Sequence, residues 1–176
     1  MNKYMPKLLL GLSVCLLIAP VLLAADSEFR KPVIDLGMVV KDARATAKFL
    51  TNAIGFKEVA GFPVTSELGK KVGLTSGHVT QVRVFVLDDG DLATRIKVLG
   101  FPEAGAKEAD QKYIHSTLGF RYLTLYVSDM NRALERLKKA NVALLGETPV
   151  DLGGGNWLVS FKDPDGNFIE LIGPKK

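Results

Sequence analysis

The side chains of this chain that could bind or react lie in separate β-strand-like segments and form no compact catalytic motif. Carboxylates can bind a cation or accept a proton, and lysine or arginine can hold an anionic ligand through charge-assisted hydrogen bonds. Tyrosine and phenylalanine can wall a flat organic ligand, with the tyrosine hydroxyl orienting it. We predict that one cavity is lined by Asp35, Arg83, Lys97, Tyr122, Tyr126, Phe168 and Glu170.

The alternation of residue types within the strands predicts that these side chains share a face. Every second residue from 34 to 40 is apolar and would pack under a helix, which leaves Asp35 on the opposite face. The same alternation over residues 121–127 leaves Tyr122 and Tyr126 on the matching face. Lys97, Phe168 and Glu170 follow this rule in the two closing strands. Arg83 joins them if the strands pair regularly.

A structural explanation exists for each of these residues. The cations Arg83 and Lys97 could be neutralised by Asp35 and Glu170 in internal ion pairs, and aromatic residues in strands are often ordinary packing. The facing of Trp157 depends on the register of its hairpin. His78 and His115 are the 2 histidines, and their separation excludes the His-x-x-x-His spacing of a helix-borne metal site.

The elements that position these residues occur twice along the chain. Residues 34–42 form a strand-like run that ends in Asp42 before an amphipathic segment, and residues 121–129 repeat this pattern with Asp129. A repeat at this spacing predicts one α+β domain of two βαβββ modules. Their strands would form a curved, cup-like mixed sheet with the helices on its convex side. We place module one at about 33–101, a linker at 102–117 and module two at about 118–174.

The N-terminal segment, residues 1–25, has the pattern of a secretory signal peptide. Lys3 and Lys7 precede an apolar run, Pro20 interrupts it, and two alanines end it. We therefore expect export to the periplasm or the medium and a mature domain of residues 26–176. The alternative is an uncleaved segment that anchors the protein in a membrane. Cleavage would leave no membrane contact.

Composition narrows the range of partners. The single cysteine, Cys15, lies in the N-terminal segment, so the mature domain would have no disulfide and no thiolate ligand. The net charge of +4 is small and no dense basic stretch occurs, which argues against nucleic acid as a partner. A small molecule is the expected partner.

The duplicated βαβββ units, the segment Gly-Met-Val-Val-Lys-Asp at 37–42 and the ending Asp-Pro-Asp-Gly-Asn-Phe-Ile-Glu-Leu-Ile at 163–172 resemble the vicinal oxygen chelate superfamily. This group contains glyoxalases, bleomycin-resistance proteins and extradiol dioxygenases. The resemblance covers about residues 33–174. It implies four possible metal-ligand positions, which are Asp35, Lys97, Tyr122 and Glu170 here. Glu170 alone has the expected type, because Lys97 is itself a cation and neutral tyrosine is a poor ligand.

The resemblance and the changed ligand positions predict an exported protein that binds a small organic ligand without a metal. Catalysis is left open. The alternative is a metal-dependent lyase, isomerase or dioxygenase of the glyoxalase type, with Zn, Ni, Fe or Mn held by Glu170 and Asp35. A third interpretation is an interaction module whose cup is filled by its own side chains. The resemblance also implies a homodimer, because modules of this family pair within one chain or by exchange between two chains.

Overall fold

The computed structural model describes residues 28–176. The chain divides into two units, Met1–Lys31 and Pro32–Lys176, and the predicted signal peptide lies outside the described residues. Residues 28–31 contain no helix or strand, so the elements below all belong to the second unit. Within the described part of the chain, no helix is long and apolar enough to cross a membrane.

Module one is a four-stranded mixed sheet with a helix on one face. Its elements are β1 Asp35–Val40, α1 Ala43–Phe49 with a π-helical continuation Leu50–Ile54, β2 Lys57–Val64, α2 Ser66–Lys71, β3 Thr80–Val86 and β4 Arg95–Gly100. The strand order is β1-β4-β3-β2, with β1 parallel to β4 and the other neighbours antiparallel. The short helix α2 lies in a stretch that its polar, glycine-bearing sequence did not identify as helical.

The sequence sets both ends of the first helix. The Asp42 carboxylate accepts hydrogen bonds from the backbone N–H groups of Arg44 at 2.8 Å and Ala45 at 3.1 Å, as predicted for an N-cap. At the other end Gly55 has φ +94°, a left-handed conformation that suits glycine. These two residues hold the helix directly after β1 and turn the chain into β2.

Module two repeats this arrangement. Its elements are β5 Tyr122–Tyr126, α3 Met130–Lys139, β6 Val150–Gly153, β7 Asn156–Lys162 and β8 Phe168–Pro174, with strand order β5-β8-β7-β6. The βαβββ repeat and the apolar run at 143–145 predict the second strand of this module there, and this prediction is wrong, because the run makes only an isolated bridge between Leu144 and Phe161. The residues just before the glycine turn at 153–155 pair with β7 instead, since the tight hairpin brings them directly alongside it.

The turn between β7 and β8 places the strand that carries Glu170. The carboxylate of Asp163 accepts hydrogen bonds from the backbone N–H groups of Asp165 at 2.9 Å and Asn167 at 2.8 Å. The side-chain amide of Asn167 donates a third bond to it at 2.8 Å. Burial raises the pKa of Asp163, while these bonds oppose the shift. The segment is a closed turn, as its sequence predicts.

The helices of both modules pack on the apolar faces of their sheets and against each other. The rings of Phe49 and Phe161 lie 6.3 Å apart, and Arg136 Nε donates to the carbonyl oxygen of Ala53 at 3.0 Å. One hydrophobic core therefore spans the two modules. The predicted α+β fold of two βαβββ modules is confirmed, with the strands arranged in two four-stranded sheets.

Candidate functional site

The strand register decides which side chains lie on the face of each sheet opposite its helix, α1 in module one and α3 in module two. We call this face the open face. Residues directly opposite each other on neighbouring strands share a face. The open face of module one carries Asp35, Val39, Val59, Val84, Lys97 and Leu99. The open face of module two carries Tyr122, Thr124, Tyr126, Leu158, Ser160, Lys162, Phe168, Glu170 and Ile172. Six of the seven predicted cavity residues therefore lie on open faces, in two groups.

On the open face of module one, the two charged candidates neutralise each other. Lys97 Nζ lies 2.8 Å from Asp35 Oδ2, and each side chain is about one-third exposed. Val39, Val84 and Leu99 occupy the neighbouring positions on this face. The ion pair is one of the two alternatives that the sequence left open for Lys97, and Arg95, the cross-strand neighbour of Asp35, adds a further positive charge to this face.

Arg83 lies on the helix face of module one, so the prediction that it shares a face with Asp35 and Lys97 is wrong. It stands opposite Val98 of β4 and beside Phe85, which is fully buried in the core. Because Phe85 must face the helix, Arg83, two residues away on the same strand, does too. The open face receives the alternating Val82, Val84 and Val86 instead.

The Arg83 side chain has a structural role. Its Nε and Nη2 donate to the two carboxylate oxygens of Glu58 at 2.6 and 2.7 Å, and its Nη1 donates to the carbonyl oxygen of Ala43 at 3.0 Å. The hydrogen bond from Arg83, together with its charge, lowers the pKa of Glu58. The pair lies in a groove of about 1200 Å³ between α1 and strands β2 and β3. No pattern in the sequence indicates this groove.

The open face of module two is aromatic and carries one carboxylate. Tyr122 stands opposite Phe168, and Thr124 stands opposite Glu170. The hydroxyl of Thr124 donates to Glu170 Oε2 at 2.9 Å. Tyr122 is 57% exposed and Tyr126 80% exposed, so both rings are available to a ligand. Within residues 28–176, Glu170 takes part in no ion pair.

A lysine that the sequence analysis missed borders this face. Lys162 stands opposite Phe168, and its ammonium lies 4.7 Å from the centroid of that ring. It also donates to the backbone oxygen of Gln111 at 2.6 Å. The side chain of Gln111 bonds Asn167 at 3.0 Å and so fixes the linker against module two. Alternation along β7, in which Val159 and Phe161 are buried, could have identified Lys162 on the opposite face, but no pattern marks Gln111.

The four positions that the family resemblance assigns to metal ligands do not form a metal-binding donor set. Lys97 is a cation bound to Asp35, and the mostly exposed Tyr122 belongs with Glu170 on the other sheet. A divalent ion favours several carboxylate or imidazole donors in one place. Across the described residues, no group of three or more histidine, cysteine, aspartate or glutamate side chains converges.

The remaining candidates do not occupy strand positions on either open face. His115 stacks on Tyr113 in the linker, with ring centroids 5.4 Å apart, and His78 lies 6.5 Å from Phe101. Trp157 faces the helix side of its sheet and packs against the core, with the ammonium of Lys175 over its ring. These residues therefore belong to packing or to the linker.

Solved structures share this architecture. A glyoxalase family protein from Bacillus cereus is 19% identical, with 86% of this chain and 99% of that chain covered and a TM-score of 0.70. TnmS3, an antibiotic binding protein from Streptomyces sp. CB03234, is 21% identical over 80% of this chain and 93% of its own, with a TM-score of 0.52. The fosfomycin resistance protein FosX from Listeria monocytogenes is 18% identical over 78% of this chain and 87% of its own, also with a TM-score of 0.52.

The sequence itself also matches a family. A search of curated proteins finds no match to this chain. The sequence model of the Glyoxalase/Bleomycin resistance protein/Dioxygenase superfamily, however, matches residues 33–171, which span both modules and the linker between them. These limits agree with the predicted resemblance and with the observed elements. The chain therefore belongs to the Glyoxalase/Bleomycin resistance protein/Dioxygenase superfamily.

Proposed function

We propose that this protein binds a small organic molecule on the open face of module two and does so without a metal ion. One observation carries the proposal: Tyr122, Tyr126 and Phe168 surround the hydrogen-bonded pair Thr124–Glu170 on the face of the sheet opposite α3. Aromatic surface with a few polar groups is typical of small-molecule sites. Exposed tyrosines also supply a large contact area at small entropic cost.

Two relatives illustrate the choice between metal-free and metal-dependent function. TnmS3 is described as an antibiotic binding protein, and a FosX variant was crystallised with Mn(II) and 1S,2S-dihydroxypropylphosphonic acid. We favour metal-free binding because an internal ion pair takes up Lys97 and Asp35, two of the four expected ligand positions. The metal-dependent glyoxalase-type enzyme, built on Glu170 and Asp35, is the competing function.

Ligand screening of the purified protein, combined with elemental analysis, tests the proposal. We expect some library compounds to raise the Tm of the protein. In the variant Tyr122→Ala, the same compounds should raise the Tm by less. Tyr113→Ala is the matched control, because Tyr113 is a similarly exposed tyrosine in the linker, with 55% exposure against 57%. Stoichiometric Zn, Ni, Fe or Mn, lost to a chelator together with ligand binding, would instead support the competing function.

We also propose a homodimer. Leu118 is 98% exposed and Phe120 is 100% exposed, and both directly precede the strand that carries Tyr122. Large exposed apolar side chains in one region are typical of an interaction surface. Light scattering of the purified protein should give twice the mass of one mature chain, and the mass of a single chain would refute the dimer.

Export is part of the same proposal, although the segment that supports it lies outside the described residues. Expression of the full chain in a bacterial host should yield a periplasmic or secreted protein cut near residue 25. Intact-mass measurement identifies the cut. A full-length product in the membrane fraction would favour the uncleaved anchor.

A further inference from the structure

We propose that the ligand of module two is an organic cation, an aromatic amine whose ammonium group binds Glu170 and whose ring packs on Tyr122 and Phe168. This inference rests on the proposed function and specifies its ligand class. It depends on a difference in pairing between Asp35 and Glu170 and on the residues around Glu170.

The first step concerns charge. Asp35 lies on β1, the edge strand of its sheet, and forms an ion pair with Lys97, whereas Glu170 lies on β8, the second strand of its sheet, and forms no ion pair within residues 28–176. Within the same residues, the side chain of Glu170 receives one hydrogen bond, from the hydroxyl of Thr124 at 2.9 Å. A half-buried carboxylate with a single neutral donor retains capacity for a cation, since ionised carboxylates accept several hydrogen bonds. The same charge would repel an anionic ligand.

The second step concerns the aromatic rings. Tyr122 and Phe168 are direct cross-strand neighbours. They precede Thr124 and Glu170, respectively, by two residues, so the two pairs are adjacent on the same face of the sheet. Ring faces attract ammonium groups electrostatically within about 6 Å of the centroid. The ammonium of Lys162 lies 4.7 Å from the centroid of the Phe168 ring, so a contact between a cation and a ring already occurs on this face.

The third step concerns Lys162, the cation on the same face. Its ammonium donates to the backbone oxygen of Gln111 at 2.6 Å and lies over the Phe168 ring, and β8 separates its strand from β5, which carries Tyr122. An amine that binds between Tyr122 and Glu170 leaves these contacts in place and puts a positive charge beside a carboxylate that forms no ion pair within residues 28–176.

Three probes that share one ring system test the ligand class. Calorimetric titration at neutral pH compares naphthylmethylamine, naphthalenemethanol and naphthoic acid on the purified full-length or mature protein. We expect the amine to bind about tenfold more tightly than the alcohol, a difference in the range of one charge-assisted contact. The acid should bind most weakly.

Glu170→Gln keeps the size of the side chain and an acceptor for Thr124 but removes the charge. This variant should lower the affinity for the amine about tenfold and leave that for the alcohol unchanged. Glu135→Gln, an exposed glutamate on α3, is the control and should behave like the unmodified protein. Circular dichroism confirms that both variants are folded.

Two results would overturn the inference. One is equal binding of amine and alcohol, or no binding of the amine. The other is a preference for the amine that survives in Glu170→Gln. If neutral or anionic library compounds bind in a Tyr122-dependent manner under these conditions, the proposed function stands and only the cation inference fails. If no library compound binds, both fail.

Discussion

Lys97 and Asp35 form an ion pair of 2.8 Å across β1 and β4, whereas Glu170 on β8 accepts a hydrogen bond from the hydroxyl of Thr124 and forms no ion pair within residues 28–176. The two modules thus share one fold but differ in how the carboxylate on the open face is paired. Module one has a valine-rich face whose carboxylate is bound by Lys97, and module two has an aromatic face whose carboxylate has no such partner among the described residues. This difference is the basis for assigning ligand binding to module two.

The ion pair of module one should contribute modestly to stability. Lys97→Met should lower the free energy of unfolding by about 1 kcal/mol, because Asp35 loses its partner on a partly covered face. Urea denaturation measures this loss. In the double variant Asp35→Asn with Lys97→Met, part of the loss should be recovered, since no charge is left unpaired. If the double variant loses as much stability as Lys97→Met and Asp35→Asn lose together when measured singly, the pairing is contradicted.

Arg136 should be a principal polar contact between the modules. It donates to the carbonyl oxygen of Ala53 at 3.0 Å and is partly buried, and this burial lowers its pKa. Arg136→Met should cost about 1–2 kcal/mol of unfolding free energy, because the Ala53 carbonyl loses its donor. Arg132→Met, an exposed position on the same helix, is the control and should change stability by less than about 0.5 kcal/mol. Equal effects in thermal or urea denaturation would refute the contact.

Two glycines at the ends of the closing strands should differ sharply in their tolerance of alanine. A Cβ atom at Gly173 would lie 2.0 Å from the backbone oxygen of Val127, whereas one at Gly100 would lie 3.5 Å from the Cβ of Ala43. Gly173→Ala should therefore destabilise the protein by about 2–3 kcal/mol, because the strand backbone must move. Gly100→Ala should change the free energy of unfolding by less than about 1 kcal/mol. Comparable values for the two variants would show that this close approach is absent.

The Glu58–Arg83 pair should make stability depend on acid pH. The pKa of Glu58 is lowered from 4.5 by its hydrogen bond to Arg83, so the folded protein releases this proton more readily than the unfolded chain does. The stabilisation is present above pH 4.5 and is lost as the pH falls through the lower pKa of the folded state. The difference in stability between the unmodified protein and Glu58→Gln should shrink as the pH falls below this value. A constant difference would contradict the pairing.

The sequence predicted the fold and the facing of six of the seven candidate residues, because side chains alternate between the two faces of a strand. The apolar set of β1 fixes Asp35 on the open face, and the sets of β5 and β8 do the same for Tyr122 and Glu170. The prediction for the facing of Arg83 was wrong because β3 is apolar on both faces, with valines on one and Phe85 on the other. Only the burial of Phe85 decides which face packs on the helix.

The contacts between the two modules, and those between the linker and module two, could not be read from the sequence. The bond from Arg136 to Ala53 and the bond from Lys162 to Gln111 join residues that are distant along the chain. Neither position carries a periodic or capping signal. Strand β6 lies later in the chain than predicted for a related reason. Its pairing depends on the tight glycine hairpin that follows it rather than on its own composition.

Amide chemical-shift mapping of chelator-treated protein with a screening hit tests metal-free binding by module two most directly. The largest shifts should fall on β5 and β8, at Tyr122–Tyr126 and Phe168–Pro174, and the affinity should be unchanged by removal of metal. Shifts that concentrate in the groove beside Arg83 would contradict the location of the site. Binding that is lost on chelation and restored by added Zn, Ni, Fe or Mn would contradict the metal-free function.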